Sequence, residues 1–168
     1  MFQPGDLIVY GNTGVCRVES LTEGDRGHWH YLLKPLYESY SISTPADRPT
    51  VFMRPILTRQ EAEELIDSIP SIEAGIFRSK ALGDLAEHYE KSLRNHSCGD
   101  LVELTKSIYA KKKAAKAAGK KLGAVDERFM KRGEELLFGE LAAALGIERE
   151  DVQPYIAQRL EGERSEGA

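Results

Sequence analysis

The feature that most constrains this chain is a change of hydrophobic period near Thr58. Before that point, apolar residues come in short β-branched or aromatic runs broken by glycine, asparagine or proline. After it they recur at helical spacing over long stretches. Strands followed by helices, without alternation, predict an α+β protein. Residues 6–10 (DLIVY) read as a first strand and Gly11-Asn12-Thr13-Gly14 as a turn. Residues 15–21, 28–34, 40–44 and 50–53 read as four more strands, with a second loop over 23–27. Strands this short, with no helix between them, predict a small antiparallel barrel or a strongly twisted sheet. Pro45 and Pro49 restrict the later strands to edges, because proline cannot donate to a sheet ladder.

The second part begins with Thr58-Arg59-Gln60-Glu61, a capping-box pattern that opens a helix with Ala62, Leu65, Ile66 and Ile69 on one face. Pro70 ends it, and residues 71–77 read as a linker. Leu82, Leu85 or Ala86, Tyr89 and Leu93 mark a second helix, and Leu101, Leu104 and Ile108 a third. A fourth follows Gly123, with Asp126 and Glu127 where the helix dipole favours anions. Its stripe is Phe129, Met130, Leu136, Leu137, Leu141 and Leu145, closed by Gly146. A short fifth helix is expected over 150–160. The expected organisation is a strand module with a terminal helix over 1–70, a linker over 71–77, a helical module over 78–160 and a disordered tail over 161–168.

Charge is distributed unevenly over these parts. Residues 1–77 carry net −5, residues 78–132 net +7 and residues 133–168 net −6. The middle contains KKKAAKAAGKK at 111–121, six lysines in eleven positions. Lys106, Lys113 and Lys120 recur every seven residues, and Lys112, Lys116 and Lys120 every four, so both sets share a helical flank. Alanines between them leave a low profile that a phosphate backbone can approach. Arg128, Lys131 and Arg132 begin the helix expected to fold back beside it. Such a cluster suits sequence-tolerant phosphate contacts, or else forms a solvated helix face.

Catalytic patterns are not evident. No Walker A, GxGxxG, GxSxG or HExxH run occurs. His88, His96 and Cys98 match no metal-ligand spacing, and we expect neither a metal nor a cofactor. Glu63-Glu64 and Glu134-Glu135 are adjacent on helices and diverge, so neither makes an acid–base dyad. In His28-Trp29-His30 the two histidines share one strand face, most simply the polar side of a hairpin. The two cysteines, Cys16 and Cys98, fit a reducing compartment. With no signal-peptide pattern and no long apolar stretch, the expectation is a cytoplasmic, non-enzymatic protein.

Several short motifs carry a family resemblance. Phe2-x-x-Gly5-Asp6-x-x-Val9-Tyr10, then Gly14-Val15 and Val18, resembles the opening of the CarD family of bacterial transcription regulators. It is similar too to the RNA-polymerase-interacting domain of transcription-repair coupling factor. Tyr31-Leu32-Leu33 and Ser43-Thr44-Pro45 fit the later strands of that module. Cys98-Gly99-Asp100, Asp126-Glu127-Arg128-Phe129-Met130, Leu136-Leu137 and Gly139-Glu140-Leu141-Ala142 resemble the family's helical half. The likeness spans about residues 2–147.

The resemblance implies a Tudor/SH3-like barrel that docks on the RNA polymerase β subunit by strand addition, followed by an all-α module that contacts promoter DNA and modulates open-complex stability. By this reading Ile42, Ser43, Thr44 and Pro45 form the polymerase-binding edge. Lys106, Lys112, Lys113, Lys116, Lys120, Lys121, Arg128, Lys131 and Arg132 form the DNA surface, with Lys91 and Arg94 secondary. The better-known members of the family use an exposed tryptophan as a minor-groove wedge. Here the only tryptophan, Trp29, lies among the strands. Leu85 occupies the wedge position by ungapped counting, and Phe77 is the nearest aromatic. The rival is a polymerase-tethered adaptor without DNA contact. A bacterial monomer, nucleoid-associated through polymerase, is expected.

Overall fold

The structure is a computed structural model; it describes residues 1–166, with side chains through residue 162. Five strands, β1 (Leu7–Tyr10), β2 (Gly14–Glu23), β3 (Trp29–Pro35), β4 (Ile42–Pro45) and β5 (Met53–Pro55), form one antiparallel sheet in the order β4-β3-β2-β1-β5. Five helices follow: α1 (Arg59–Ser68), α2 (Leu82–Arg94), α3 (Cys98–Ala117), α4 (Ala124–Leu145) and α5 (Val152–Glu166). The fold is α+β.

The expected closed barrel is not formed. β4 and β5 stand at opposite edges of the sheet, so it remains open between them. The reason is local. These strands have only four and three residues, each ends in proline (Pro45 and Pro55), and Pro49 sits in the chain that crosses the gap. Proline removes a ladder donor at the positions where closure needs one. On the inner face, Ile8, Cys16, Val18, Tyr31 and Leu33 make a small core, while Leu32 and Lys34 alternate outward on β3.

Thr58 forms the expected capping box, its hydroxyl accepting from the Glu61 N–H while the Glu61 carboxylate accepts from the Thr58 N–H. α1, grouped from sequence with the strands, buries Ala62 and Ile66 in the helical core. That core also takes Leu85, Tyr89, Leu101, Ile108, Leu137 and Leu141. Leu82, expected on the same stripe, is instead 65% exposed because it is the first residue of α2 and has no turn packed behind it. Gly146 caps α4 in the left-handed conformation (φ 70°), which glycine adopts without a Cβ penalty.

The tail expected over 161–168 is helical as far as Glu166, while residues 167–168 lie outside the described residues. Arg159 anchors the preceding turn of α5 with two bonds to Asp67 of α1, at 2.7 and 3.0 Å.

Residues 71–77, read as a linker, lie along α3 as a strap. Lys106 Nζ donates to the carbonyls of Ile69 and Ile72 at 2.7 and 2.6 Å. Ser107 Oγ donates to Gly75 O, and Lys111 Nζ to Phe77 O. The Phe77 ring then stacks on His88, with centroids 3.8 Å apart.

Candidate docking edge and nucleic-acid interface

The sheet is joined to the helices by a buried polar clamp. Arg54, the middle residue of β5, places Nη1 and Nη2 each 2.7 Å from an oxygen of Glu140 on α4. Its Nε donates to His96 O, between α2 and α3. Glu140 is 3% exposed and accepts in addition from Leu57 N and from the Cys98 thiol. Burial, with the Glu140 carboxylate adding to it, pushes the Cys98 thiol well above its ordinary range, so it remains a neutral donor. A buried carboxylate with this many donors fixes geometry, because each oxygen is satisfied in one arrangement only.

At the preceding residue of α4, Tyr37 OH donates to Gly139 O at 2.8 Å. A Cβ at position 139 would lie 2.9 Å from the Tyr37 ring, so glycine is what lets the aromatic reach the α4 backbone. Gly14 of β2 is similarly close to Leu136, where an added Cβ would lie 3.2 Å from Cδ2. The motif residues Gly139 and Glu140 therefore serve the joint between sheet and helices.

The free edge of β4 carries the four residues singled out for docking. Ser43 is exposed, Ile42 and Pro45 are half-buried, and Thr44 is buried. Thr44 Oγ1 accepts from Tyr10 OH at 3.2 Å, which leaves the exposed part of the strand to Ser43 and the main chain. β3 pairs with β4 through Leu33↔Ile42 to His30↔Pro45, so only the opposite side of β4 is open to another strand.

The candidate DNA residues fall into two groups. Lys112, Lys113, Lys116, Lys120, Lys121, Arg128 and Lys131 are exposed around the C-terminal half of α3 and the start of α4. Arg132 is half-buried and pairs with Glu135 at 3.3 Å, while the Lys106 ammonium is committed to the strap. Lys91 and Arg94 are exposed on α2, with Glu90 3.9 Å from Arg94. Leu85 is 5% exposed and belongs to the core, and Phe77 is occupied by its stack on His88.

Two features were not singled out from sequence. Tyr109 is 55% exposed on α3, with Lys113 Nζ 6.0 Å from its ring centroid. Its position three, four and seven residues before Lys112, Lys113 and Lys116 is the signal that could have found it. Lys111, the first lysine of the run, is 7% exposed and pairs with Asp126 at 2.8 Å. Asp126 also accepts from Tyr89 OH. Burial first, and then the Asp126 carboxylate, push the Tyr89 phenol well above its usual range. Position 111 continues the Leu101, Leu104, Ile108 stripe, so its inward direction was legible in the spacing.

The site is thus a small open sheet, with β4 and β5 at its edges, held to the helices through Arg54 and Tyr37. Residues 2–57 match the family model of the CarD-like/TRCF RID domain, ending one residue before the Thr58 cap of α1. The N-terminal module is therefore a CarD-like, polymerase-interacting type of domain. A search of the curated proteins returned no match.

Proposed function

We propose that the protein is a transcription regulator that binds the RNA polymerase β subunit through the β4 edge and meets promoter DNA through the exposed lysines of α3 and α4. The observation that carries this reading is the coincidence of a polymerase-interacting domain with an unpaired strand at its sheet edge. A strand of the polymerase adds to Ile42–Pro45; main-chain bonds supply affinity, and the side chain of Ser43 supplies fit. The lysine face then lies against phosphates upstream of the melted region and modulates open-complex stability. No wedge is required, because Leu85 is spent on the core and phosphate contact needs only exposed cations.

Binding of the full chain to an isolated polymerase β lobe tests the first arm. Wild type is retained, and Ser43→Asp, which places a charge on the added strand's path, reduces retention. Failure of the wild-type chain to bind would sink the proposal. The full chain is the proper reagent, because residues 1–70 alone would expose Ala62 and Ile66 and leave Arg54 without Glu140. The second arm is a salt titration of promoter-complex affinity. Reversing Lys112, Lys113 and Lys116 to glutamate weakens the complex and flattens its salt dependence. An unchanged slope would leave the polymerase-tethered adaptor in place of the DNA reading.

A further inference from the structure

The lysine run has a concave side as well as a convex one. Two adjoining cavities of about 570 and 310 Å³ lie between the start of α2, the C-terminal half of α3 and the start of α4. They share Arg78, Lys111, Gly123 and Asp126, and so form one groove. Leu82, Leu85 and Val125 line the wider part; Ala115, Ala118 and Leu122 line the narrower. Leu82 is an apolar rim that the core does not claim, being 65% exposed.

The polar groups of the groove are mostly cations. Arg78, Lys80, Lys120 and Lys121 line it, all exposed and none in an ion pair among the described residues. Its one lining carboxylate, Asp126, is 6% exposed and already committed to Lys111 and Tyr89. The buried pair has a positional effect. Lys111 also holds Phe77 O, one residue before Arg78, and so fixes where Arg78 reaches the rim. The groove thus combines an apolar wall, unspent positive charge and a volume in the range of small-molecule sites.

We propose that this groove binds a free nucleoside polyphosphate, with the base against Leu82 and Val125 and the phosphates among Arg78, Lys120 and Lys121. Charge complementarity selects a polyanion, and the apolar wall selects one that carries a flat apolar group. Duplex DNA is the wrong shape: its phosphates lie on a convex rod, whereas this groove is walled by residues 78–80, the start of α2 and the α3–α4 turn. The inference rests on the shape and charge of the groove and not on the polymerase or DNA contacts proposed above. Lys120 and Lys121 belong to both surfaces, so an occupied groove lowers the charge available to DNA.

The test uses the full chain alone, without polymerase or promoter. Titration with fluorescent ribose-labelled GTP and ATP is expected to give saturable one-to-one binding. The combined Arg78→Ala and Lys121→Ala changes weaken it by at least about tenfold, an effect readily resolved in a dissociation constant. Leu82→Asp, at an exposed site where folding is not at stake, weakens nucleotide binding but not that of inorganic tripolyphosphate. Arg48→Ala, on the far module, changes neither. Absence of saturable binding at millimolar nucleotide overturns the proposal. So does equal affinity for nucleotide and tripolyphosphate with no effect of Leu82→Asp, which is surface anion attraction only. Tighter binding of a single-stranded oligonucleotide at the same residues overturns it as well, by assigning the groove to nucleic acid. None of these outcomes bears on the β-lobe experiment, so the two readings fail separately.

Discussion

The sheet and the helical unit solve the problem of burial in different ways. The sheet's own core has five buried residues, Ile8, Cys16, Val18, Tyr31 and Leu33, against sixteen in the helical cluster. A sheet that small and open at one side is short of apolar burial. It compensates through directional polar contacts to α4, made by Tyr37 and Arg54. The helices bury a much larger core, and polar bonds such as Arg159 to Asp67 and Lys111 to Asp126 add to that packing. One half therefore leans more on a few specific bonds, the other more on apolar packing.

That contrast can be tested by substitution. Glu140→Ala leaves Arg54 and Leu57 N without their acceptor and is expected to cost about 3–5 kcal/mol in urea unfolding, the range for one-sided removal of a buried ion pair. A loss of only a few tenths would mean that the sheet holds itself together without the clamp. Gly139→Val forces Cβ into the Tyr37 ring and costs about 1–3 kcal/mol by overpacking. The accompanying Tyr37→Leu should recover part of it, and no recovery would place the strain elsewhere.

Alkaline pH acts on both halves, through Cys98 in the helices and Cys16 in the sheet. Burial pushes the Cys16 thiol up to about 11, from an ordinary value near 9. Between those values the unfolded chain releases this proton and the folded sheet does not, so stability present below pH 9 declines toward pH 11. Cys16→Ala should shallow that decline in pH-dependent unfolding curves; an unaltered slope would assign the whole decline to other groups. The smallest effect is expected at the convex lysine face. Reversing Lys112, Lys113 and Lys116 alters unfolding free energy by no more than about 0.5 kcal/mol each, as for exposed positions generally. A larger loss would show that these lysines are architectural, like Lys111.

Much of this arrangement was legible in the sequence, for identifiable reasons. The strands, the capping box at Thr58 and the Gly146 terminus are written in local pattern, which survives tertiary context when period and cap agree. The open seam was not, because whether the edges of β4 and β5 meet depends on the path of residues 46–52 and not on either strand. That residues 71–77 lie along α3 was not legible, because their composition is that of a linker and the contacts that hold them come from Lys106, Ser107 and Lys111, more than thirty residues away. Lys106 was grouped with the exposed lysines, yet its ammonium is occupied by the carbonyls of Ile69 and Ile72. Charge composition counts cations without saying which way they point.

The clamp between Arg54 and Glu140 has a consequence for how a docked protein is aimed. A slack tether would let the lysine face sample every side of a nearby duplex. A sheet bolted to α4 presents that face at one azimuth only. On the proposed function, the protein then senses the rotational phase of the promoter. Moving a favoured stretch of DNA by half a helical turn, about 5 bp, carries it to the far side of the duplex, and a full turn of about 10 bp restores it. The joint acts as a protractor: it turns attachment at one surface into an angle at another.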